Sequence, residues 1–362
     1  MKAQLVSFSL GAAALCNTPS PAAPVWYDSF DYSPAGTVLS TAGSPAWSLY
    51  APPGTDPKIA AGSLRYAGLQ AAPGDNSVVF DGVAPAAGIS MRLLDQVYNI
   101  SNVATIYYSL TFQVTSINAA GDWGGTATNF AGGSFMMGFN QKTSLALAQS
   151  DVAAPLLIRT GNPDDTPAGT ANGFQQYQLG TGVTATTAIR AFDAAHNYNP
   201  GETLFLVLSY TFNPGASDDV AKLYVNPIPG SLENENTPVV TTTGSTDVNN
   251  SRAQSFFLRN NSVEPSGTQI DDLRIGTTWE DVTPELPPNS IDVVSGGGNI
   301  TFTLRGTTGG TYLIEKSTSI EPLNSWIPDG EVILATPTQP VTRALAPGAR
   351  RMFYRARRVP AG

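Results

Sequence analysis

Ile270-Asp271-Asp272-Leu273-Arg274-Ile275-Gly276-Thr277-Thr278-Trp279 decides how this chain is read. Leu273 and Ile275 alternate with Arg274, and Gly276 and Thr277 then break the run, so the segment predicts a closing β-strand. Asp271 shares the parity of Leu273 and Ile275, which predicts a side chain on the core side. An aromatic and acidic segment near the start, Trp26-Tyr27-Asp28-Ser29-Phe30-Asp31, echoes it.

Two stretches between these ends alternate strictly. Ile106, Tyr108, Leu110, Phe112 and Val114 fall on one face of Ala104–Ile117. Leu204, Leu206, Leu208, Tyr210 and Phe212 fall on one face of Thr203–Asn213. Period two over ten residues, with no competing helical period, predicts long strands. The second is apolar on much of both faces, as Phe205 and Val207 show, and is expected at the centre of a sheet. Shorter strands are predicted at Ser63–Leu69, Val78–Asp81, Ile89–Leu94, Ser134–Asn140, Leu156–Thr160, Phe174–Leu179, Val220–Asn226 and Gln254–Arg259, with turn residues between them. About a dozen such strands imply a two-sheet antiparallel sandwich. Helix is expected at most as a single turn, at Asp151–Ala154 or Ile189–Ala195.

The terminal pair, with Lys222-Leu223-Tyr224-Val225-Asn226-Pro227 and Ser255-Phe256-Phe257-Leu258-Arg259, resembles the LamG-like, concanavalin-A-like jelly rolls of secreted bacterial proteins. The resemblance covers roughly residues 25–283. It implies that the first and last strands lie side by side and seal an all-β jelly roll. It also implies secretion, frequent calcium, and mostly non-catalytic recognition of glycans or proteins. The expected organisation is a signal peptide over 1–22, the jelly roll over 23–284, a proline-rich linker over 285–290 and a small β module over 291–362. The module rests on the alternating Ile300, Phe302 and Leu304, on Thr311–Lys316, on Trp326 and on Phe353-Tyr354-Arg355. It resembles the fibronectin-III-like C-terminal modules of bacterial secreted proteins.

Only 13 % of the 362 residues are charged, while 35 are Gly and 28 Pro, a balance suited to strands and turns. The net charge of −9 is uneven: residues 1–285 carry −12 and residues 286–362 carry +3. An acidic main body repels phosphate backbones and argues against nucleic-acid binding. The basic end, with Arg350, Arg351, Arg355, Arg357 and Arg358, reads as the solvated face of a last strand. Lys2, the short apolar run Leu5–Leu15 and the small residues Ser20 and Ala22 form an expected secretory signal. The one cysteine, Cys16, lies inside it, so disulfides are not expected in the exported chain. No later run is long and apolar enough to predict a membrane span.

Two-carboxylate glycoside hydrolysis needs paired acids across a cleft, and the acidic run Glu-x-Asp-x-x-Glu of β-glucanases is absent. The nearest approach, Glu280-Asp281-Val282-Thr283-Pro284-Glu285, meets a proline and the linker. The one histidine, His196, is read as part of a surface turn, which leaves no set of ligands for zinc. Trp123, in Gly121-Asp122-Trp123-Gly124-Gly125, is a sugar-stacking candidate with Asp122 as hydroxyl acceptor; its other reading is a ring that pins its own loop. The resemblance further implies Ca²⁺ where the terminal strands meet, with Asp28, Asp31 and Asp271 as oxygen ligands. The competing reading satisfies Asp271 with backbone donors or an Arg.

The function expected from these residues is secreted, non-enzymatic recognition at the cell surface, with polysaccharide or a surface glycan as partner. The alternatives are a self-assembling structural subunit of a matrix, sheath or filament, and a divergent polysaccharide-active enzyme. The export reading has a direct check: intact-mass measurement on secreted protein should find a chain that begins near Ala23, and Met1 retained in the extracellular fraction would refute it.

Overall fold

The computed structural model describes residues 25–51, 55–71, 74, 76–82, 88–117, 133–143, 147–161, 176–244, 246–261, 265, 267–285, 294–296, 299–306, 308–318, 326–336, 338–344 and 353–359. The chain divides into two compact units, Ala22–Leu286 and a smaller one from Pro287 onward.

The first unit is an antiparallel two-sheet jelly-roll sandwich. Its strands begin with β1 (Trp26–Asp28), β2 (Ser48–Ala51), β3 (Lys58–Ala61), β4 (Asn76–Phe80) and β5 (Gly88–Asn99). Next come β6 (Thr105–Val114), β7 (Ser134–Asn140), β8 (Val152–Thr160), β9 (Tyr177–Thr181) and β10 (Ala191–Phe192). The last are β11 (Thr203–Thr211), β12 (Val220–Val225), β13 (Val240–Thr243), β14 (Arg252–Asn260) and β15 (Thr268–Gly276). Among the described residues two one-turn α-helices accompany them, α1 (Leu39–Ala42) and α2 (Trp279–Val282). No helix among the described residues is long and apolar enough to cross a membrane.

One sheet runs β13-β12-β11-β6-β15-β4-β3, with β1 also on β15; the other runs β10-β9-β8-β7-β14-β5-β2. The terminal strands do lie side by side, with Trp26 opposite Ile275 and Asp28 opposite Leu273. The β11 strand is central, between β6 and β12. Its Leu204, Leu206, Leu208 and Tyr210 join Ile106, Tyr108, Leu110, Phe112 and Val114 of β6 in the core. The other sheet answers with Met136, Phe139, Leu156, Ile158, Leu179, Phe256 and Leu258. Phe256 is the hub: Tyr108, Phe139 and Trp26 meet its ring edge-to-face at 4.9, 5.6 and 6.2 Å. Each such pair adds about 0.5–1.5 kcal/mol beyond its buried area.

Alternation fails in β15. A bulge lies between Asp271 and Arg274, and Asp272 takes a left-handed backbone with φ 53°. Ile270, Leu273 and Ile275 all reach the core. Asp271 instead pairs with Thr111, on the outward side of β6. The expected core-side Asp271 is therefore corrected: the extra residue of the bulge breaks the period-two count.

The outer face of this sheet carries a second apolar layer. Tyr107, Phe205, Val207 and Tyr224 are covered by Leu69, Trp279 and Val282. Residues 63–69 supply part of that cover. They are not the strand the sequence predicts, because they form loop and turn, with Leu69 bridging to Glu285. The predicted helical turns also shift: 3₁₀ turns occupy Gln149–Asp151 and Thr187–Ile189, and β8 already starts at Val152.

The second unit is a small β-sandwich. Its strands are β16 (Val294–Gly296), β17 (Asn299–Arg305), β18 (Thr311–Ser317), β19 (Ile327–Ile333), β20 (Thr338–Ala344) and β21 (Phe353–Val359). They form two three-stranded sheets, β16-β17-β20 and β19-β18-β21. Phe302, Leu304, Tyr312, Ile314, Leu334 and Val341 fill its core. Each unit having its own core, limited proteolysis should leave a stable fragment that ends near residue 285. A chain cut back to that point that no longer folds would overturn the division.

Candidate functional site

The expected metal ligands take separate places. Asp28 is buried, and its Oδ2 accepts from Trp47 Nε1 at 2.8 Å, Tyr32 Oη at 2.8 Å and Arg92 Nη1 at 3.0 Å. Its Oδ1 accepts the Phe30 N–H at 2.9 Å. Asp31 is exposed. Asp271 accepts from Ser63 Oγ at 2.6 Å, from the Leu64 N–H at 3.0 Å and from the Asp272 N–H at 2.7 Å. Among the described residues, the one trio of acidic, histidine or cysteine ligands whose donor atoms approach within 4.8 Å is Asp218, Asp219 and Asp247. Asp28, Asp31 and Asp271 thus do not converge on one ion. The bulge puts Asp271 outside the sheet while Asp28 bonds inward to Trp47. Trp123 and Asp122 lie outside the described residues.

His196 is exposed, and its Nδ1 sits 2.9 Å from Asp193 Oδ2. Tyr198 donates to the same carboxylate oxygen at 2.7 Å. The acidic run after β15 is used structurally. Asp281 caps α2, its Oδ2 accepting the N–H groups of Thr277 and Thr278 at 3.1 and 3.0 Å.

An open groove of about 500 Å³ lies along β12, lined by Lys222, Tyr224, Leu232, Glu233, Asn234, Asn236 and Pro238. Strand alternation sends Ala221 and Leu223 into the core, which turns Lys222 and Tyr224 outward. The loop after β12 is stapled by Asn236. Its Oδ1 accepts the Ile228 N–H at 3.1 Å, and its Nδ2 donates to Ser231 Oγ and the Leu232 carbonyl at 2.7 and 2.8 Å. Trp279 Nε1 donates to the Ser231 carbonyl at 2.8 Å, fixing the loop to the outer layer.

This frame delivers Glu233 to the groove. Tyr224 donates to its Oε1 at 2.6 Å, Tyr107 to its Oε2 at 2.8 Å, and Lys222 Nζ lies 3.4 Å from Oε1. Burial pushes the Glu233 carboxyl upward, but the two tyrosine bonds and the Lys222 charge outweigh it and hold it below the usual range. Both tyrosines are pushed up, first by burial and then by the carboxylate they face. The groove therefore presents an ionised carboxylate with its geometry already fixed, beside the exposed Asn234 and the exposed apolar edge of Leu232. Glu233 is the one carboxylate among the lining residues. The sequence predicts a strand over Val220–Asn226 but gives no sign that it joins Glu233 and Tyr107. Only the register of β12, with Tyr107 two strands away, shows that they meet.

No family model and no curated protein matches the chain. Solved structures similar to this chain include a carbohydrate esterase of the Shiga toxin-encoding bacteriophage phi24B. It has 9 % identity and a TM-score of 0.38, with 70 % of this chain and 97 % of that one covered. The endo-1,3-beta-glucanase of Streptomyces sioyaensis has 13 % identity and a TM-score of 0.37, covering 73 % and 98 %. Lectin II of Ulex europaeus has 11 % identity and a TM-score of 0.34, covering 70 % and 99 %.

Asp271 gives the site region a pH signature. Burial, reinforced by the Asp272 charge, drives its carboxyl from 3.8 to about 7 against the bond from Ser63. Between those values the folded chain binds more protons than the unfolded chain, so this group's contribution is complete below pH 3.8 and lost as pH rises through about 7. Asp271→Asn should flatten that fall, a difference on the order of a few kcal/mol between acid and pH 8. Melting curves of both proteins across that range test it; parallel curves would show that Asp271 does not titrate there.

Proposed function

We propose that this chain is a secreted, non-enzymatic recognition protein of LamG-like type, whose first unit binds a hydroxyl-rich ligand, a polysaccharide or surface glycan, in the β12 groove. The observation that carries the reading is the Glu233 carboxylate, clamped by Tyr107, Tyr224 and Lys222 at the edge of an open groove. Sugar hydroxyls donate strongly to a charged acceptor. An acceptor already held by three partners loses little freedom when a ligand arrives. Asn234 adds an amide that both donates and accepts, and Leu232 and Pro238 offer apolar contact for C–H faces. Hydrolysis by two opposed acids needs a second carboxylate at a set distance; the lining residues supply one, which favours binding over cleavage.

A glycan array probed with the intact chain tests this. Glu233→Gln and Asn234→Ala should each weaken binding by about 1–3 kcal/mol, while the exposed Asn234→Ala leaves the melting temperature unchanged. Binding that survives both substitutions would remove the groove from the reading. Reducing ends released from the bound glycan would replace recognition with catalysis.

A further inference from the structure

We propose that Asp218, Asp219 and Asp247 form a calcium site where the β11–β12 hairpin meets the segment between β13 and β14. One oxygen from each carboxylate lies within 4.8 Å of the other two. Oxygens sharing a Ca²⁺ at 2.3–2.6 Å can stand no more than about 5 Å apart, so the spacing suits a common ion.

The chain builds this place from two turns. Asn213-Pro214-Gly215 reverses the chain after β11, and Asn213 Nδ2 donates to the Asp218 carbonyl at 2.5 Å. The N–H groups of Gly215 and Asn213 fix Asp218 Oδ2 and Asp219 Oδ1 at 3.0 and 2.6 Å. From the other side, Asp219 N–H donates to Asp247 Oδ1 at 3.0 Å, and Gly244 N–H to the Asp219 carbonyl at 3.2 Å. Tyr210, a core residue of β11, donates to Asp219 Oδ2 at 2.7 Å.

An independent feature points to a ligand. Asp247 is only 6 % exposed, yet its Oδ2 has no hydrogen-bond partner. A buried carboxylate oxygen without a donor is costly, and no ion pair reaches any of the three carboxylates among the described residues. A divalent cation relieves both conditions together. The donors are oxygen alone, with no imidazole or thiolate, which selects a hard cation such as Ca²⁺ over zinc or copper. Mg²⁺ demands a tighter, regular octahedron and is the weaker fit.

The test titrates the whole metal-stripped chain with CaCl₂ and MgCl₂ by calorimetry, and with Tb³⁺ read as luminescence sensitised by Tyr210. The expected result is saturable Ca²⁺ binding with a higher melting temperature, a smaller response to Mg²⁺, and Tb³⁺ emission that Ca²⁺ displaces. Asp247→Asn should weaken Ca²⁺ about tenfold or more, and its metal-free form should melt no lower than wild type, because a bare buried charge is gone. Asp218→Asn, at an exposed position, should weaken Ca²⁺ likewise and serves if Asp247→Asn does not fold. Asp271→Asn should keep the full response. The proposal is overturned by absence of heat and emission in the wild type, by unchanged affinity in both Asp247→Asn and Asp218→Asn, or by loss of the response in Asp271→Asn alone.

Discussion

The bulge in β15 is the constraint on which the larger unit depends. Its left-handed Asp272 lets one strand serve two neighbours on one edge: Thr268–Ile270 pair with β4, and Leu273–Ile275 with β1. A straight strand would turn either Ile270 or the Leu273–Ile275 pair outward. The backbone strain, of order 1–3 kcal/mol, is offset by a dense set of contacts. Tyr27 donates to the Asp272 carboxylate, Arg65 approaches it at 3.7 Å, and Arg274 lies 4.4 Å over the Tyr27 ring while bonding the Asp272 carbonyl at 3.0 Å. Removing Tyr27 or Arg274 would strand buried polar groups at the seam that joins both ends of the unit.

The same bulge shapes the outer layer. Asp271 and Arg274 come out on a face that cannot stay wet, because Phe205 and Val207 share it. Residues 63–70 and α2 therefore fold over it, bonded by Ser109 Oγ to the Val282 carbonyl at 2.6 Å and by Gln70 N–H to the Pro284 carbonyl at 2.9 Å. Trp279 sits at the edge of this cover, 4.9 Å from Tyr224 and 6.3 Å from Tyr107, both edge-to-face. The Glu233 groove begins where the cover ends. Its two tyrosines have their rings in the apolar layer and their hydroxyls at the boundary, so the carboxylate is held by residues that packing has already immobilised.

The architecture was legible because period-two patterns are local. The strands β6 and β11 announce their faces through nine or ten residues each, and the acidic, apolar runs Trp26–Asp31 and Ile270–Ile275 mark the two ends. The site was not legible, for three physical reasons. The bulge adds one residue and inverts parity, which a pattern cannot register, so Asp271 was assigned to the wrong face. Glu233 and Tyr107 are 126 residues apart and meet only through the β6-β11-β12 order. Asp247 joins Asp219 only across 28 residues that include β12 and β13. Trp279, beyond the break at Gly276 and Thr277, proves to be the anchor of the outer layer, because Thr278 and Asp281 cap a helix there.

The strands that flank the larger unit's sheets are short. The flanking strands β13, β3, β10 and β2 span 4, 4, 2 and 4 residues, while β1, added on β15, spans 3. A border of that length exposes only one or two outward N–H groups to a passing chain, too few to template a continuous ladder. An acidic surface adds mutual repulsion as copies approach. Ladder growth across β13, β3 and β10 is thus opposed by their length, while beyond Met91 the twelve-residue β5 runs past its β2 partner. If copies gather on a common polysaccharide, the polymer, rather than a backbone seam between proteins, must set their spacing.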